Sequence, residues 1–133
     1  MAKIILIVDD EIFVLDSMQR MLSSLKYTIL TAASGSAALD ILTKNTVDLI
    51  LLDIRIPDIN GKQVCTKVRE VEPDIPIILF TGMDIAGVKA FAEKEGAFAF
   101  LEKPIELDKL RPLIEAAIGK AGKQPKQNTT QET

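Results

Sequence analysis

The chain contains no histidine among its 133 residues and only one cysteine. Without histidine, it cannot use an imidazole as a general base or metal ligand, and it cannot carry a phosphohistidine. The single cysteine, Cys65, cannot form an internal disulfide, which favours a reducing cytoplasm as the compartment. These absences exclude imidazole chemistry and disulfide scaffolds from the candidate functions.

Long apolar runs and an excess of positive charge are missing as well. No apolar stretch approaches the roughly 20 residues of a membrane span, and the N-terminus leads into a predicted strand without signal-peptide architecture. The formal net charge of −3 gives no reason to expect nonspecific nucleic-acid binding, which needs a basic face. Hydrophobic residues make up 47% and charged residues 26%, which is typical of one globular domain. We therefore expect a cytoplasmic domain with neither a membrane nor a nucleic-acid partner.

Short apolar runs, separated by stretches with helical spacing, organise the chain. Such runs are typical of strands buried on both faces, which belong to parallel sheets. Five strands that alternate with five helices predict an α/β fold, a doubly wound parallel sheet in the order 2-1-3-4-5 with helices on both faces. The predicted strands are the runs 4–8, 47–52, 75–80 and 97–101 and the alternating segment 27–32, which we expect at an edge.

Apolar residues three or four positions apart predict the helices between these strands. The first helix should span about residues 11–25, and the third should follow Gly61. The inward-facing residues are predicted to be Ile12, Leu15, Met18, Leu22 and Leu25 in the first helix, and Val64, Cys65, Val68 and Val71 in the third.

Several residues predict where helices begin and end. Ser34 and Asp84 are candidate N-caps of the second and fourth helices, and Gly96 is positioned to close the fourth. Pro112 falls inside the fifth helix if that helix starts near Glu106, and it should then kink the helix or delay its start. The chain becomes almost wholly polar after residue 119. We therefore expect one domain over residues 1–119 and a flexible tail or linker over 120–133.

Polar side chains stand where four of the predicted strands end. Asp9 and Asp10 follow the first strand, Asp53 the third and Thr81 the fourth, while Lys103 follows the fifth by two residues. Each residue alone has an ordinary structural explanation, such as a helix start, a turn or a solvated charge. Because ligands bind outside the carboxyl ends of strands in open α/β sheets, however, the four strand ends together predict one site.

The residue types at these positions suit phosphoryl transfer. An acidic cluster without histidine or cysteine selects a hard cation such as Mg²⁺, which Asp9 and Asp10 would hold. Asp53 could be a further ligand only, or a nucleophile that forms an aspartyl phosphate. The ammonium of Lys103 and the hydroxyl of Thr81 could then bind oxygens of the transferred group.

Four segments of the chain resemble the receiver domain of two-component response regulators. They are Val8-Asp9-Asp10-Glu11, the run from Leu51 to Gly61, Phe80-Thr81-Gly82, and Phe100-Leu101-Glu102-Lys103-Pro104, and the resemblance covers about residues 3–119. It implies a flavodoxin-like, chemotaxis-regulator-like α/β/α fold. It also implies phosphoryl transfer to Asp53 from a sensor histidine kinase or a histidine phosphotransfer protein.

The resemblance also implies the remaining parts of the site. The cation would be Mg²⁺ or Mn²⁺, held by Asp9, Asp10, Asp53 and the backbone carbonyl of Arg55. The switch pair of the family corresponds to Thr81 and Phe100, and its lysine, often followed by a cis proline, corresponds to Lys103-Pro104.

The output surface implied by the resemblance lies on the fourth helix, fifth strand and fifth helix, roughly residues 84–95, 97–101 and 106–118. A downstream protein or a second copy of the chain would dock there. Phe100 replaces the more usual tyrosine, so a rotamer change at this position would act by shape alone.

Two other functions are alternatives to this one. An aspartate-nucleophile phosphatase usually has a second aspartate two residues after the nucleophile, where this chain has Arg55. The chain also lacks an insertion that would cover a substrate. A phosphorylation-independent interaction module is the other alternative. We therefore expect a signalling domain that catalyses only its own phosphorylation and dephosphorylation.

Overall fold

The computed structural model describes residues 2–54, 61–82 and 85–122, with five strands and five helices in strict alternation. In chain order the elements are β1 Ile4–Val8, α1 Ile12–Leu22, β2 Thr28–Ala32, α2 Gly35–Lys44, β3 Leu49–Asp53, α3 Gly61–Val71, β4 Ile77–Thr81, α4 Ile85–Glu95, β5 Ala99–Glu102 and α5 Leu107–Gly122.

The strands form one parallel sheet in the order β2-β1-β3-β4-β5. This confirms the predicted fold class and the predicted position of β2 at an edge. The register pairs Asp53 with Phe80 and Thr81 with Glu102, so the last residues of three neighbouring strands lie along the same edge. The carboxyl edge of the sheet therefore collects the polar residues singled out in the sequence.

Helices cover both faces of the sheet. Because side chains alternate along a strand, Leu49 and Leu51 face one core cluster while Ile50 and Leu52 face the other. Helices α1 and α5 pack on the first face, and α2, α3 and α4 pack on the second. Both faces of the central strands are thus buried, which explains why their sequences are apolar throughout.

Two of the predicted helix boundaries are visible in detail. The side chain of Ser34 accepts a hydrogen bond from the backbone N–H of Ala37 at 3.1 Å and caps α2. Gly96 closes α4 with a φ of +74°, a conformation that favours glycine. Helix α5 includes Pro112 and begins at Leu107, so the proline does not delay its start. The predicted cap Asp84 lies outside the described residues.

Two predicted core positions are wrong. Ile12 is 67% exposed and Val71 is 54% exposed, although the helical spacing placed both on inward faces. Each is the terminal residue of its helix, beyond the middle turns that cover the sheet. Helix α1 is also shorter than predicted, and α5 continues through residues 120–122, past the predicted end of the domain; residues 123–133 are outside the described part of the chain. No described helix is long and apolar enough to span a membrane.

Candidate functional site

Three carboxylates converge at the carboxyl edge of the sheet. Asp9 follows β1, Asp53 is the last residue of β3, and these two strands are neighbours. One carboxylate oxygen from each of Asp9, Asp10 and Asp53 lies within 4.8 Å of the others. Asp9 and Asp53 are buried, while Asp10 is exposed at the rim. The structure therefore brings Asp53 beside Asp9 and Asp10, which precede it in the sequence by 44 and 43 positions.

Lys103 connects two of these carboxylates. Its Nζ atom donates to Oδ2 of Asp9 at 3.1 Å and to Oδ2 of Asp53 at 3.0 Å. The other oxygen of Asp9, Oδ1, accepts a hydrogen bond from the backbone N–H of Glu11 at 3.0 Å. Lys103 itself is held in place because its backbone N–H donates to the carbonyl of Thr81 at 2.8 Å. The ammonium thus lies directly beside the proposed acceptor carboxylate.

Burial and charge act in opposite directions on Lys103. Burial lowers the pKa of the ammonium, but hydrogen bonds and attraction from Asp53 and Asp9 outweigh burial, and the net pKa is raised above its ordinary value. Lys103 is therefore cationic at neutral pH. Its peptide bond to Pro104 is cis, as the resemblance implies.

Thr81 and Phe100 lie on the same face of the sheet. Phe100 pairs in register with Leu79, two residues before Thr81 on the neighbouring strand, and both Leu79 and Phe100 face the core beneath α2, α3 and α4. Thr81 is fully buried, whereas Phe100 is half-buried. The two residues of the predicted switch pair are thus diagonal neighbours, and Phe100 packs against the layer that contains α4.

The donor atoms fit a hard divalent cation. Among the described residues at this edge, the three carboxylates outnumber the one ammonium that contacts them, that of Lys103. Its ligands are oxygens only, which is the set that Mg²⁺ and Mn²⁺ prefer. The backbone carbonyl of Arg55, predicted as a further ligand, lies outside the described residues.

One apolar feature beside this site is not among the residues predicted from the sequence. Phe13, in the first turn of α1, is 89% exposed, and its neighbour Ile12 is exposed as well. Both follow Asp10 within three residues, so an apolar patch borders the acidic cluster. The exposure of Phe13 could have been predicted from the sequence. Leu15, Met18 and Leu22 define the inward face of α1, and Phe13 does not fit their spacing.

Comparison with known proteins identifies the class. A family model described as "Response regulator receiver domain" matches residues 5–115. The chain belongs to this family. It is therefore a receiver domain of two-component signal transduction, a class of signalling domain in which phosphorylation on aspartate is a general feature.

Individual relatives agree with this assignment. The chain is 32% identical over 114 residues to the transcriptional regulatory protein GlrR of Escherichia coli, and 33% identical over 114 residues to the response regulator MprA of a Mycobacterium species. These matches cover 86% of this chain but only 26% and 50% of the two relatives. A receiver domain from Methanospirillum hungatei has a similar solved structure, with a TM-score of 0.87 and 29% identity over 92% of this chain and 98% of that one.

Proposed function

We propose that Asp53 accepts a phosphoryl group from a histidine kinase or a histidine phosphotransfer protein. The observation that carries this proposal is the position of the Lys103 ammonium, 3.0 Å from a buried carboxylate oxygen of Asp53. A lysine at this place can neutralise charge on an incoming phosphoryl group without itself being a ligand of the cation. The proposed compartment is the cytoplasm, where Cys65 stays reduced.

The proposed reaction transfers a phosphoryl group from a phosphohistidine of the donor protein to Asp53. A carboxylate oxygen of Asp53 attacks phosphorus, the phosphorus–nitrogen bond of phosphohistidine breaks, and the imidazole leaves with the electron pair. A bound Mg²⁺ would supply positive charge to the phosphoryl oxygens, and Asp9, Asp10 and Asp53 would hold it. Lys103 already lies beside Asp53 and would bind a second phosphoryl oxygen, and the hydroxyl of Thr81 would bind a third after it moves toward Asp53.

The output of the switch is proposed to begin at Thr81. A charge-assisted hydrogen bond from its hydroxyl to the phosphoryl group is worth about 1.5–3 kcal/mol, which can bias two states that differ by a few kcal/mol. Movement of Thr81 toward Asp53 would alter the packing of Phe100, its diagonal neighbour. The surface that changes is then α4, β5 and α5, where a downstream protein or a second copy would bind.

The phosphoryl donor is proposed to contact the apolar patch of Ile12 and Phe13. Asp10 lies within three residues of both, and its carboxylate belongs to the same cluster as Asp53. A phosphohistidine that reaches Asp53 must therefore bring its protein against this rim. Burial of exposed phenylalanine would add affinity to that encounter.

Intact-mass measurement after incubation with acetyl phosphate and Mg²⁺ tests the proposal. We expect one added phosphoryl group on the wild type, none on Asp53→Asn, and normal addition on the control Asp40→Asn, which alters an exposed ion pair with Lys44. Full labelling of Asp53→Asn would place the acceptor elsewhere.

A further inference from the structure

Arg69 lies in the last turn of α3, and its half-buried guanidinium binds backbone carbonyls from two separate segments. Nε donates to the carbonyl of Glu95 at 3.4 Å, and Nη2 donates to that of Gly96 at 3.0 Å. Nη1 donates to the carbonyls of Pro73, at 3.4 Å, and Ile75. One side chain therefore joins the C-terminal end of α4 to the loop that leads from α3 into β4.

The end of α4 is shaped so that its last carbonyls face outward from the helix. Gly96 has a φ of +74°, and the N–H of Ala97 donates to the carbonyl of Ala92 at 2.9 Å, which is the Schellman pattern. The carbonyls of Glu95 and Gly96 are left over by this pattern and lie at the negative end of the helix dipole. A guanidinium, with five donors in a planar fork, can bind several such carbonyls at once.

The other end of α4 faces the switch. In a parallel α/β sheet each helix runs back from the carboxyl edge to the amino edge, so the first turn of α4 lies on the side of Thr81 and the last turn lies on the opposite side. Between these ends, Val88 and Ala92 pack into the core, and the ring of Phe91 lies beside Lys62 of α3. The hydrogen bonds from Arg69 join the C-terminal end of α4 to α3, at the end of α4 that lies away from Thr81.

We propose that Arg69 is a positioning residue that fixes the C-terminal end of α4, so that switching rotates α4 about this end. The inference rests on the proposed function, because it concerns how the change at Thr81 is transmitted. Displacement is then largest where α4 begins and smallest at Glu95. The part of the output surface nearest Thr81 carries the signal, while the far end remains a fixed point.

The anchoring can be tested without phosphorylation through Cys65, which is fully buried one turn before Arg69. Arg69→Met should accelerate modification of Cys65 by a thiol reagent about 10-fold, because several carbonyls, including that of the buried Ile75, lose their donor. Arg69 lowers the pKa of the Cys65 thiol, which burial raises, so loss of the arginine charge by itself would slow this reaction. Acceleration therefore reports opening of the α3–α4 contact.

Lys62→Met is the matched control, because Lys62 is also a cation on α3 that contacts α4, lying 5.4 Å from the ring centroid of Phe91. It should leave Cys65 protected. Arg69→Lys keeps the positive charge but offers a single donor group, so it should expose Cys65 as Arg69→Met does. If Arg69→Met does not fold, the experiment is carried out with Arg69→Lys. Wild-type protection in both Arg69 variants, or equal exposure in Lys62→Met, would overturn the assignment.

The rotation itself is tested by amide chemical shifts on addition of beryllofluoride, a phosphoryl mimic, with Mg²⁺. In the wild type the shifts should decrease along α4 toward Glu95, and in Arg69→Met they should extend through Gly96 and Ala97. If the wild-type shifts stay equally large up to Glu95, the claim that Arg69 fixes this end of α4 is wrong, while the proposed switch at Thr81 is unaffected. No shift at Thr81 would contradict the proposed switch itself, whatever the Cys65 experiment shows.

Discussion

The Nζ atom of Lys103 lies 3.0 Å from Oδ2 of Asp53, although 50 positions separate the two residues in the sequence. The same ammonium reaches Asp9 at 3.1 Å. Without a cation, Lys103 is therefore the principal described counter-charge of two buried carboxylates. With a phosphoryl group on Asp53, the ammonium of Lys103 would lie beside a phosphoryl oxygen. One side chain can therefore neutralise negative charge in both states of the switch.

Lys103→Met should separate these two roles. Loss of the ammonium leaves Asp9 and Asp53 without their described charge partner, and we expect the metal-free protein to lose about 1–3 kcal/mol of unfolding free energy. Mg²⁺ should restore part of this stability, because the proposed cation site uses the same carboxylates, and these come together only in the folded state. Labelling by acetyl phosphate should be slower even with Mg²⁺ at saturation.

Urea unfolding with and without Mg²⁺ measures the stability effect. Lys109→Met is the control, since Lys109 is exposed and its described ion pair is an exposed one with Glu106 at 3.6 Å. Its loss should change stability by less than about 0.5 kcal/mol. Wild-type stability together with wild-type labelling in Lys103→Met would contradict both roles.

Asp10→Asn should weaken Mg²⁺ binding. The substitution removes one of the three clustered negative charges, and at separations near 4 Å a unit charge contributes several kcal/mol at an intermediate dielectric, so we expect about a 10-fold or larger increase in Kd. Asp10 is exposed, so folding should be little affected. Titration calorimetry provides the measurement.

Asp16→Asn is the matched control for this experiment. Asp16 is an exposed carboxylate on α1 that pairs with Arg20 and lies outside the cluster. If both variants bound Mg²⁺ with equal affinity, the acidic cluster would not be the metal site.

The sequence predicted the sheet and its order because buried parallel strands have an apolar pattern that few other structures share. It also predicted which polar residues reach the carboxyl edge, since topology alone brings the strand ends together. It could not predict that Lys103 bridges Asp9 and Asp53, because that depends on side-chain geometry after β5.

The wrong predictions for Ile12 and Val71 also arise because a sequence pattern does not give three-dimensional geometry. Helical spacing predicts which face of a helix a residue occupies, but it does not show how far the sheet extends beneath that helix. Ile12 and Val71 are at helix ends that the sheet does not cover, and both are exposed. Arg69 gave no signal in the sequence, because its partners are backbone carbonyls as many as 27 positions away. Every residue has a backbone carbonyl, so the sequence does not show which residues accept such hydrogen bonds.

Ser34→Ala should destabilise the domain through α2. The Ser34 side chain accepts the N–H of Ala37 at 3.1 Å, and removal of such a cap typically costs about 1 kcal/mol. Ser34→Asp should retain most of the stability, because aspartate caps equally well and its charge is favourable at a helix N-terminus. Denaturant unfolding compares the two, and a larger loss in Ser34→Asp than in Ser34→Ala would contradict the capping role.

Phe13→Ala should distinguish a donor protein from a small-molecule donor. Phe13 is 89% exposed beside the acidic cluster, so its truncation should leave folding, Mg²⁺ binding and labelling by acetyl phosphate unchanged. Transfer from a phosphorylated histidine kinase should be slower by about 10-fold, since loss of a central aromatic contact commonly costs more than 1 kcal/mol of binding free energy. Val71→Ala provides the control, because Val71 is another exposed apolar residue, placed at the opposite end of its own helix from the carboxyl edge. Equal transfer rates for Phe13→Ala and wild type under subsaturating kinase would remove Phe13 from the docking surface, whereas an equal loss with acetyl phosphate would mean that the substitution damages the acceptor site itself.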